Sequence, residues 1–383
     1  MINKKAIQMF TPKFEVEECI EEIRECLEKG WTGMGFKTVE FESAWKNYSG
    51  FPNAHFLSSN TVGLHLALDL FKKKYNWSDD TEIITTPLTF VSTNHAILYC
   101  GLKPVFADID EYLSLDPVSV EKRITKKTKA VMFVGIGGNT GRYNQVLEIC
   151  KKHNLLMILD AAHMSGTKYN SVHVGHDADA TVFSFQAVKN LPTADSGMIC
   201  FKNKEDDELV RKLSWLGINK DTFARTSSKG AYKWYYDVEH VGYKYHGNSI
   251  MAAIGLVQLK YLDRDNTYRR QVASWYTEGL SNIPQLKIVP TAEGCESSRH
   301  LIQIVTEKRD ELMQYLNDNG IYPGVHYRDN THYGMFGYAK GTCPQSEYYH
   351  DRILSLPIHL NMTKEDVETI SNKIISFMAS AGG

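Results

Sequence analysis

The sequence is short of several things, and each shortage excludes a class of protein. It has no run of about 18 apolar residues, so no membrane-spanning helix is expected. Charge of one sign is missing too. Its 43 Lys and Arg against 45 Asp and Glu leave a formal net charge of −2, with no broad basic field for nucleic acid. The seven cysteines, at positions 19, 26, 100, 150, 200, 295 and 343, never form a C-x-x-C pair, so neither a metal site nor a redox motif is expected. An odd, scattered set reads as reduced thiols in a cytoplasmic protein. Met1–Phe10 lacks the long apolar region of an export signal. The glycine-rich Gly135–Gly141 contains G-x-G without the G-x-G-x-x-G spacing, which argues against a dinucleotide site. No repeat or low-complexity tract is present.

What remains is an ordinary globular composition, 43% hydrophobic and 23% charged, over 383 residues, enough for two or three domains. The order of elements carries the information. Phe14–Lys29 and Thr38–Tyr48 read as helices, separated by Gly30-Trp31-Thr32-Gly33-Met34-Gly35. That break is either a plain turn or a loop that touches a ligand. Strand patterns at Ala54–Leu57, Glu82–Thr86, Pro104–Asp110, Ala130–Val134, Leu155–Leu159 and Ala180–Ser184 alternate with helical ones, as in a doubly wound sheet. Beyond Asp207 the character changes. Asn219–Tyr236 reads as a long polar, aromatic loop. A long helix is expected over Ile250–Arg270, then strands at Arg299–Val305 and Ile321–Val325 around a helix at Arg309–Asn319, and a terminal helix at Lys364–Met378. This divides the chain into a large domain, residues 1–249, and a smaller α+β domain, residues 250–383.

The chemistry concentrates between Asp160 and Gly197. Asp160 closes an apolar strand, where open α/β sheets place ligands. Lys189 follows the next strand by five residues. An acid and an amine on adjacent strand ends suit pyridoxal phosphate, the amine forming a Schiff base and the acid holding the pyridine nitrogen. Ser59-Asn60-Thr61, between a strand and a helix, offers unpaired amides to an anion, or is simply an N-cap. Phe90, just past a strand end, is either core or a platform for a flat ring. Lys189 could equally be a solvated surface lysine, Asp160 an N-cap and His163 a structural histidine. Taken together, they fit one edge of one sheet.

These motifs resemble the DegT/DnrJ/EryC1/StrS family of pyridoxal-phosphate sugar aminotransferases. The resemblance runs from Gly30–Gly35 to the terminal helix. It is carried by Ser59–Leu68, by Phe90 after P-x-T, by Asp160-Ala161-Ala162-His163 and by Ser184-Phe185-Gln186-Ala187-Val188-Lys189. It implies an aspartate-aminotransferase (type I) fold, with a mostly parallel seven-stranded sheet in the large domain. It implies that Lys189 carries the cofactor as a Schiff base and moves the proton, with the pyridoxamine form as intermediate. Asp160 would pair with the pyridine nitrogen and His163 would meet the phenolic oxygen or orient the ring. Phe90 would stack on it. The Asn60 and Thr61 amides and the Ser184 hydroxyl would hold the phosphate. Lys244, in place of the family's asparagine, would complete the phosphate site from the second subunit of a homodimer. Trp31, Thr32, His326 and Tyr327 are the candidates for sugar contact, the last two being as readily a turn packed on the interface.

The implied activity transfers an amino group, with L-glutamate as donor, to a nucleotide-linked keto-sugar. The D-A-A-H form leans toward a 4-keto-6-deoxy sugar, with amination at C3 as the alternative. A non-catalytic regulatory protein on the same fold is the alternative from another class. Gln186, where histidine is common, and Pro192–Ser196, in place of T-T-G-E-G-G, depart from the family pattern beside the lysine. The expected setting is amino-sugar synthesis for surface glycans such as O-antigen, or for secondary metabolites.

Overall fold

The computed structural model describes residues 6–219 and 236–381. The loop expected over Asn219–Tyr236 therefore falls, but for its two end residues, outside the described residues. The central sheet is built from β1 (Asn53–Leu57), β2 (Glu82–Thr85), β3 (Lys103–Phe106), β4 (Thr128–Val134), β5 (Leu156–Asp160), β8 (Ala180–Ser184) and β9 (Gly197–Phe201). Its strand order is β1-β9-β8-β5-β4-β2-β3. Strands β3, β2, β4, β5 and β8 are mutually parallel, and β9 runs against both of its neighbours, β8 and β1. The short β6 (Lys168–Tyr169) and β7 (Val172–His173) form a separate ribbon.

The buried strands explain their unbroken apolar sequence. Residues alternate between two cores, one on each face, as the two-residue period of a strand requires. Val131, Phe133, Leu159, Phe183 and Met198 point into a core with Phe41, Trp45 and Phe56. Met132, Ile158, Val182 and Ile199 point into the other, with Leu64, Leu68 and Phe71. Each such large side chain contributes about 2 kcal/mol by leaving water. Local signals set the crossover helices. Asp116 caps Pro117–Arg123 by accepting from the Val118 and Ser119 amides, and Asn154, at φ 53°, ends Tyr143–His153 in the left-handed region.

A second sheet joins β10 (Lys287–Ile288), β12 (Ile302–Val305) and β13 (Ile353–Leu356), all antiparallel, while β11 (Cys295–Glu296) extends the ribbon. A third core lies on this second sheet, with Leu312, Leu316, Ile370 and Ile374 from the helices Arg309–Asp318 and Lys364–Ala381. The helix Ser249–Leu280 feeds both regions. Ala252, Leu259 and Leu262 join the first core, and Val272, Ala273, Tyr276 and Leu280 join the third.

Three expectations need correction. The long helix continues ten residues past Arg270, because Val272, Ala273, Tyr276 and Leu280 prolong its buried stripe. The strand expected from Arg299 starts at Ile302. Arg299 takes φ 51° and the His300 amide donates to Gly137 O instead of to a strand partner. Ile321–Val325 is no strand. It makes only isolated bridges, Ile7 to Ile321 and Gly324 to Ser355, around Pro323, which has no amide hydrogen to donate.

Candidate active site

The C-terminal ends of β2, β4, β5 and β8 open on a cavity of about 450 Å³. Nine of the residues singled out from sequence line it: Asn60, Thr61, Phe90, Asp160, His163, Ser184, Lys189, His326 and Tyr327. Three do not. Trp31 turns its indole N–H to Met34 O at 2.8 Å, and the Thr32 carbonyl accepts from the Ser249 amide at 3.1 Å. The Lys244 ammonium lies 3.3 Å above the centre of the Trp215 ring.

Asp160 is buried at the cavity floor. Its Oδ1 accepts from Asn60 Nδ2 at 3.3 Å and from the Ala162 amide at 3.1 Å, and its Oδ2 accepts from the Thr93 hydroxyl at 2.8 Å. Thr89 in turn donates to Thr93 at 2.8 Å. Burial pushes the carboxyl up from its usual range, while Thr93, the Ala162 amide and Lys189 oppose the push. Such a carboxylate, fixed by neutral donors and with no ion pair among the described residues, fits a protonated ring nitrogen.

Lys189 is presented by a short turn. Its amide donates to Gln186 O at 2.8 Å, and Gln186 Oε1 accepts from the Val188 amide at 3.0 Å. The glutamine thus braces the turn that carries the lysine. In the following segment, Thr193 Oγ1 bonds both Phe185 O and the buried Ser196 hydroxyl, each at 2.7 Å. Of these, Ser196 stands where the family pattern has a glycine, and its hydroxyl adds a bond that a glycine lacks. Burial lowers the Lys189 amine to about 8, with Asp160 pulling the other way. A neutral amine is therefore well populated near neutral pH, as a nucleophile requires.

Ser59 caps the helix Asn60–Lys74, its hydroxyl accepting from the Val62 amide at 3.4 Å. The first-turn amides of such a helix have no intrahelical partner and favour an anion. Gly197 lets this turn settle on the sheet: a Cβ there would lie 2.7 Å from Asn60 N and from Ser59 C. Ser184, buried, and Phe90, 59% exposed, line the same cavity. An anion cradle, an exposed ring wall, a buried acid and an amine of lowered affinity for protons fit pyridoxal phosphate.

Both ring nitrogens of His163 are taken. The Gly137 amide donates to Nδ1 at 3.1 Å, so the neutral ring carries its proton on Nε2. Nε2–H then donates to the Tyr327 hydroxyl at 3.0 Å, so the tyrosine proton is not used in this bond. Burial, Lys189 and His326 hold the His163 imidazole well below its ordinary affinity for protons. Any direct bond from His163 to a ring oxygen requires Tyr327 to give way.

Sequence reasoning passed over Thr93, Asn190 and His300. Thr93 lies three residues beyond Phe90, in the first turn of the helix Ser92–Tyr99 that follows it, and its amide donates to Phe90 O. Asn190 and His300 carry no local pattern. They meet only through the fold, His300 Nδ1 lying 3.0 Å from Asn190 Oδ1.

An acid and an amine set this way on a mostly parallel sheet define a pyridoxal-phosphate enzyme of the aspartate-aminotransferase fold. The comparisons with known proteins agree. The chain belongs to the DegT/DnrJ/EryC1/StrS aminotransferase family, whose model matches residues 13–375. It is 36% identical to the spore coat polysaccharide biosynthesis protein SpsC of Bacillus subtilis, over 95% of both chains. Among solved structures, Helicobacter pylori PseC, an aminotransferase involved in pseudoaminic acid biosynthesis, superposes with a TM-score of 0.90 at 28% identity, covering 98% of this chain and 100% of the other. S. venezuelae DesV, in complex with a ketimine intermediate, gives a TM-score of 0.85 at 25% identity, covering 96% and 99%. The protein is thus a sugar aminotransferase, and the cofactor of its family is pyridoxal phosphate. Among the described residues no helix is long and apolar enough to cross a membrane, and no cluster of metal ligands occurs.

Proposed function

We propose that this chain transfers the amino group of L-glutamate to C4 of a nucleotide-linked 4-keto-6-deoxy sugar, as a cytoplasmic homodimer, in the synthesis of amino sugars for surface glycans. The observation that carries this reading is the pairing of Asp160 and Lys189 across one cavity, with His163 in the D-A-A-H position. The similarity to SpsC and PseC, whose descriptions name polysaccharide and pseudoaminic acid synthesis, supports a glycan setting.

When bound, pyridoxal phosphate supplies the electron sink for transamination. The protein supplies the rest. Asp160 holds the ring nitrogen protonated. The Asn60 and Thr61 amides and the Ser184 hydroxyl would bind the phosphate, and Phe90 would stack on the ring. Lys189 would hold the cofactor through its amine and, once free of it, would carry the proton to and from the substrate carbon through Nζ. Lys244 of a second copy completes the phosphate site as a point charge. Trp31, Thr32, His326 and Tyr327 bind the sugar nucleotide. The division at residue 249 belongs to the same proposal, the helix Ser249–Leu280 joining the two domains.

The test is a panel of dTDP-, UDP- and GDP-linked 4-keto-6-deoxyhexoses with L-glutamate, read by product mass and NMR. The expected product carries its new amine at C4, and Lys189→Ala abolishes turnover. Amination at C3 would move the assignment to 3-keto sugars. A protein that neither attaches the cofactor at Lys189 nor aminates any member of the panel would be a binding protein on an enzyme's fold.

A further inference from the structure

His300 is built into the cavity wall with unusual care for a residue given no role so far. Its ring lies between two others, stacked on Phe10 at 5.1 Å and 9° and packed against His163 at 4.3 Å. Its backbone amide donates to Gly137 O, the carbonyl of the residue whose amide fixes the His163 tautomer. Arg299, just before it, adopts φ 51°, a conformation that a non-glycine residue keeps only when its surroundings impose it. Here they do: Ser297 Oγ accepts from the Arg299 amide at 3.0 Å, and Ser298 is pinned by Thr167 and by His163 O.

The polarity of the ring is fixed as well. Asn190 Nδ2 donates to Asn266 Oδ1 and to Ser298 O, each at 2.7 Å. Asn190 must therefore present its oxygen to His300, so Nδ1 carries the proton. Nε2 is left as a lone pair on a side chain only 1% exposed. It has no hydrogen-bond partner among the described residues, and His300 is one of the residues that line the cavity. Burial, with His163 and Lys189 nearby, keeps the ring neutral by pushing its proton affinity well below the ordinary imidazole range.

An acceptor that cannot become a donor selects what it meets. A ketone oxygen and an ionised carboxylate have only lone pairs and would be repelled. A hydroxyl can donate. Asn190, which orients His300, directly follows Lys189 in the chain, and His300 and Lys189 line the same cavity, close enough for the lysine's charge to bear on the ring. Resting on the reading that the substrate is a keto-sugar, we propose that His300 Nε2 accepts a hydrogen bond from the sugar hydroxyl on the carbon next to the ketone. His300 is thus a specificity-determining residue that requires that hydroxyl to be free and unmodified.

The test pairs His300→Asn with two substrates: the nucleotide keto-sugar that the wild type aminates, and its analogue lacking the hydroxyl beside the ketone. Asparagine keeps a donor near Nδ1 for Asn190 and deletes the Nε2 acceptor. The wild type should prefer the hydroxylated sugar by roughly 10- to 100-fold in kcat/KM, the value of one buried hydrogen bond. H300N should lose that preference while treating the analogue nearly as the wild type does. His300→Gln, which returns an acceptor near the Nε2 position, should restore part of it and stands in if H300N does not fold. An equal loss on both substrates would mark His300 as merely structural, and a wild type indifferent to the hydroxyl would overturn the proposal. Should the wild type aminate no keto-sugar at all, the functional reading has failed and this assignment falls with it. Turnover with unchanged discrimination in H300N sinks His300 alone.

Discussion

The titration of Lys189 gives the sharpest test of the site. An ordinary lysine at 10.5 is about 0.1% neutral at pH 7.5, whereas one at about 8 is about 24% neutral. The cavity thus raises the reactive fraction about 240-fold, and the cause is removal of water from around the ammonium, with Asp160 recovering only part of the loss. Apoprotein offered pyridoxal phosphate across pH 6 to 10.5, with borohydride trapping and the label mapped to the peptide bearing Lys189, measures this directly. Dividing each rate by that of Nα-acetyl-lysine under the same conditions removes the reagent's own titrations. The ratio should be high and flat at low pH, where both amines are mostly protonated. It should fall as pH passes 8 and free lysine goes on gaining neutral amine. The sign follows from the direction of the shift: a lowered value means that the folded site releases its proton first. A ratio that stays near one across the range would refute the claim that burial activates this lysine, whatever the enzyme's activity.

Two further outcomes follow from other parts of the structure. Gly197→Ala places a Cβ 2.7 Å from backbone atoms of Ser59 and Asn60, which cannot move aside as a side chain would. It should cost about 1–3 kcal/mol of stability by overpacking and weaken binding of the cofactor's phosphate more than its ring. This would show as a larger loss of affinity for pyridoxal phosphate than for pyridoxal, and equal losses would count against the turn as the phosphate cradle. Asp110 is buried beside Glu111 and Arg142, and burial raises its carboxyl to about 7. A raised acid stabilises the fold at low pH, and the contribution is lost as pH climbs through 7. Asp110→Asn keeps an oxygen for the Tyr112 and Ser114 amides, so its denaturation midpoint relative to wild type should rise between pH 5 and pH 8. A gap independent of pH would refute the raised value.

Much of the fold was legible because both faces of the sheet are covered. Strands such as β4 and β5 then read as plain apolar runs between turn signals. The same uniformity hid direction. Gly197–Phe201, which the strand patterns read from the sequence did not include, is as buried as its parallel neighbours, and nothing in its side chains records that it runs against them. The site was legible where one residue type has one use at a strand end, as at Asp160 and Lys189. It was illegible where the role comes from contacts between distant segments. Asn190 and His300 are 110 positions apart, and only the fold turns them into a pair of fixed polarity.

The departures from the family pattern acquire a physical reading once the turn around Lys189 is seen. Gln186 caps that turn through Oε1, and Ser196 ties its return strand to Thr193. Ser196 stands where the pattern has a glycine and Gln186 where it has a histidine, and the bonds they make here run within the segment, to Thr193 and to the Val188 amide. These substitutions therefore act on the rigidity of the lysine's mount more than on its chemistry. Replacing both at once, Gln186→His with Ser196→Gly, should leave the titration of Lys189 in place, because its burial and its opposition to Asp160 remain. What should change is the tolerance of the site for variation in the sugar. A double variant whose Lys189 reverts to ordinary lysine reactivity would show that the mount and the chemistry are one device.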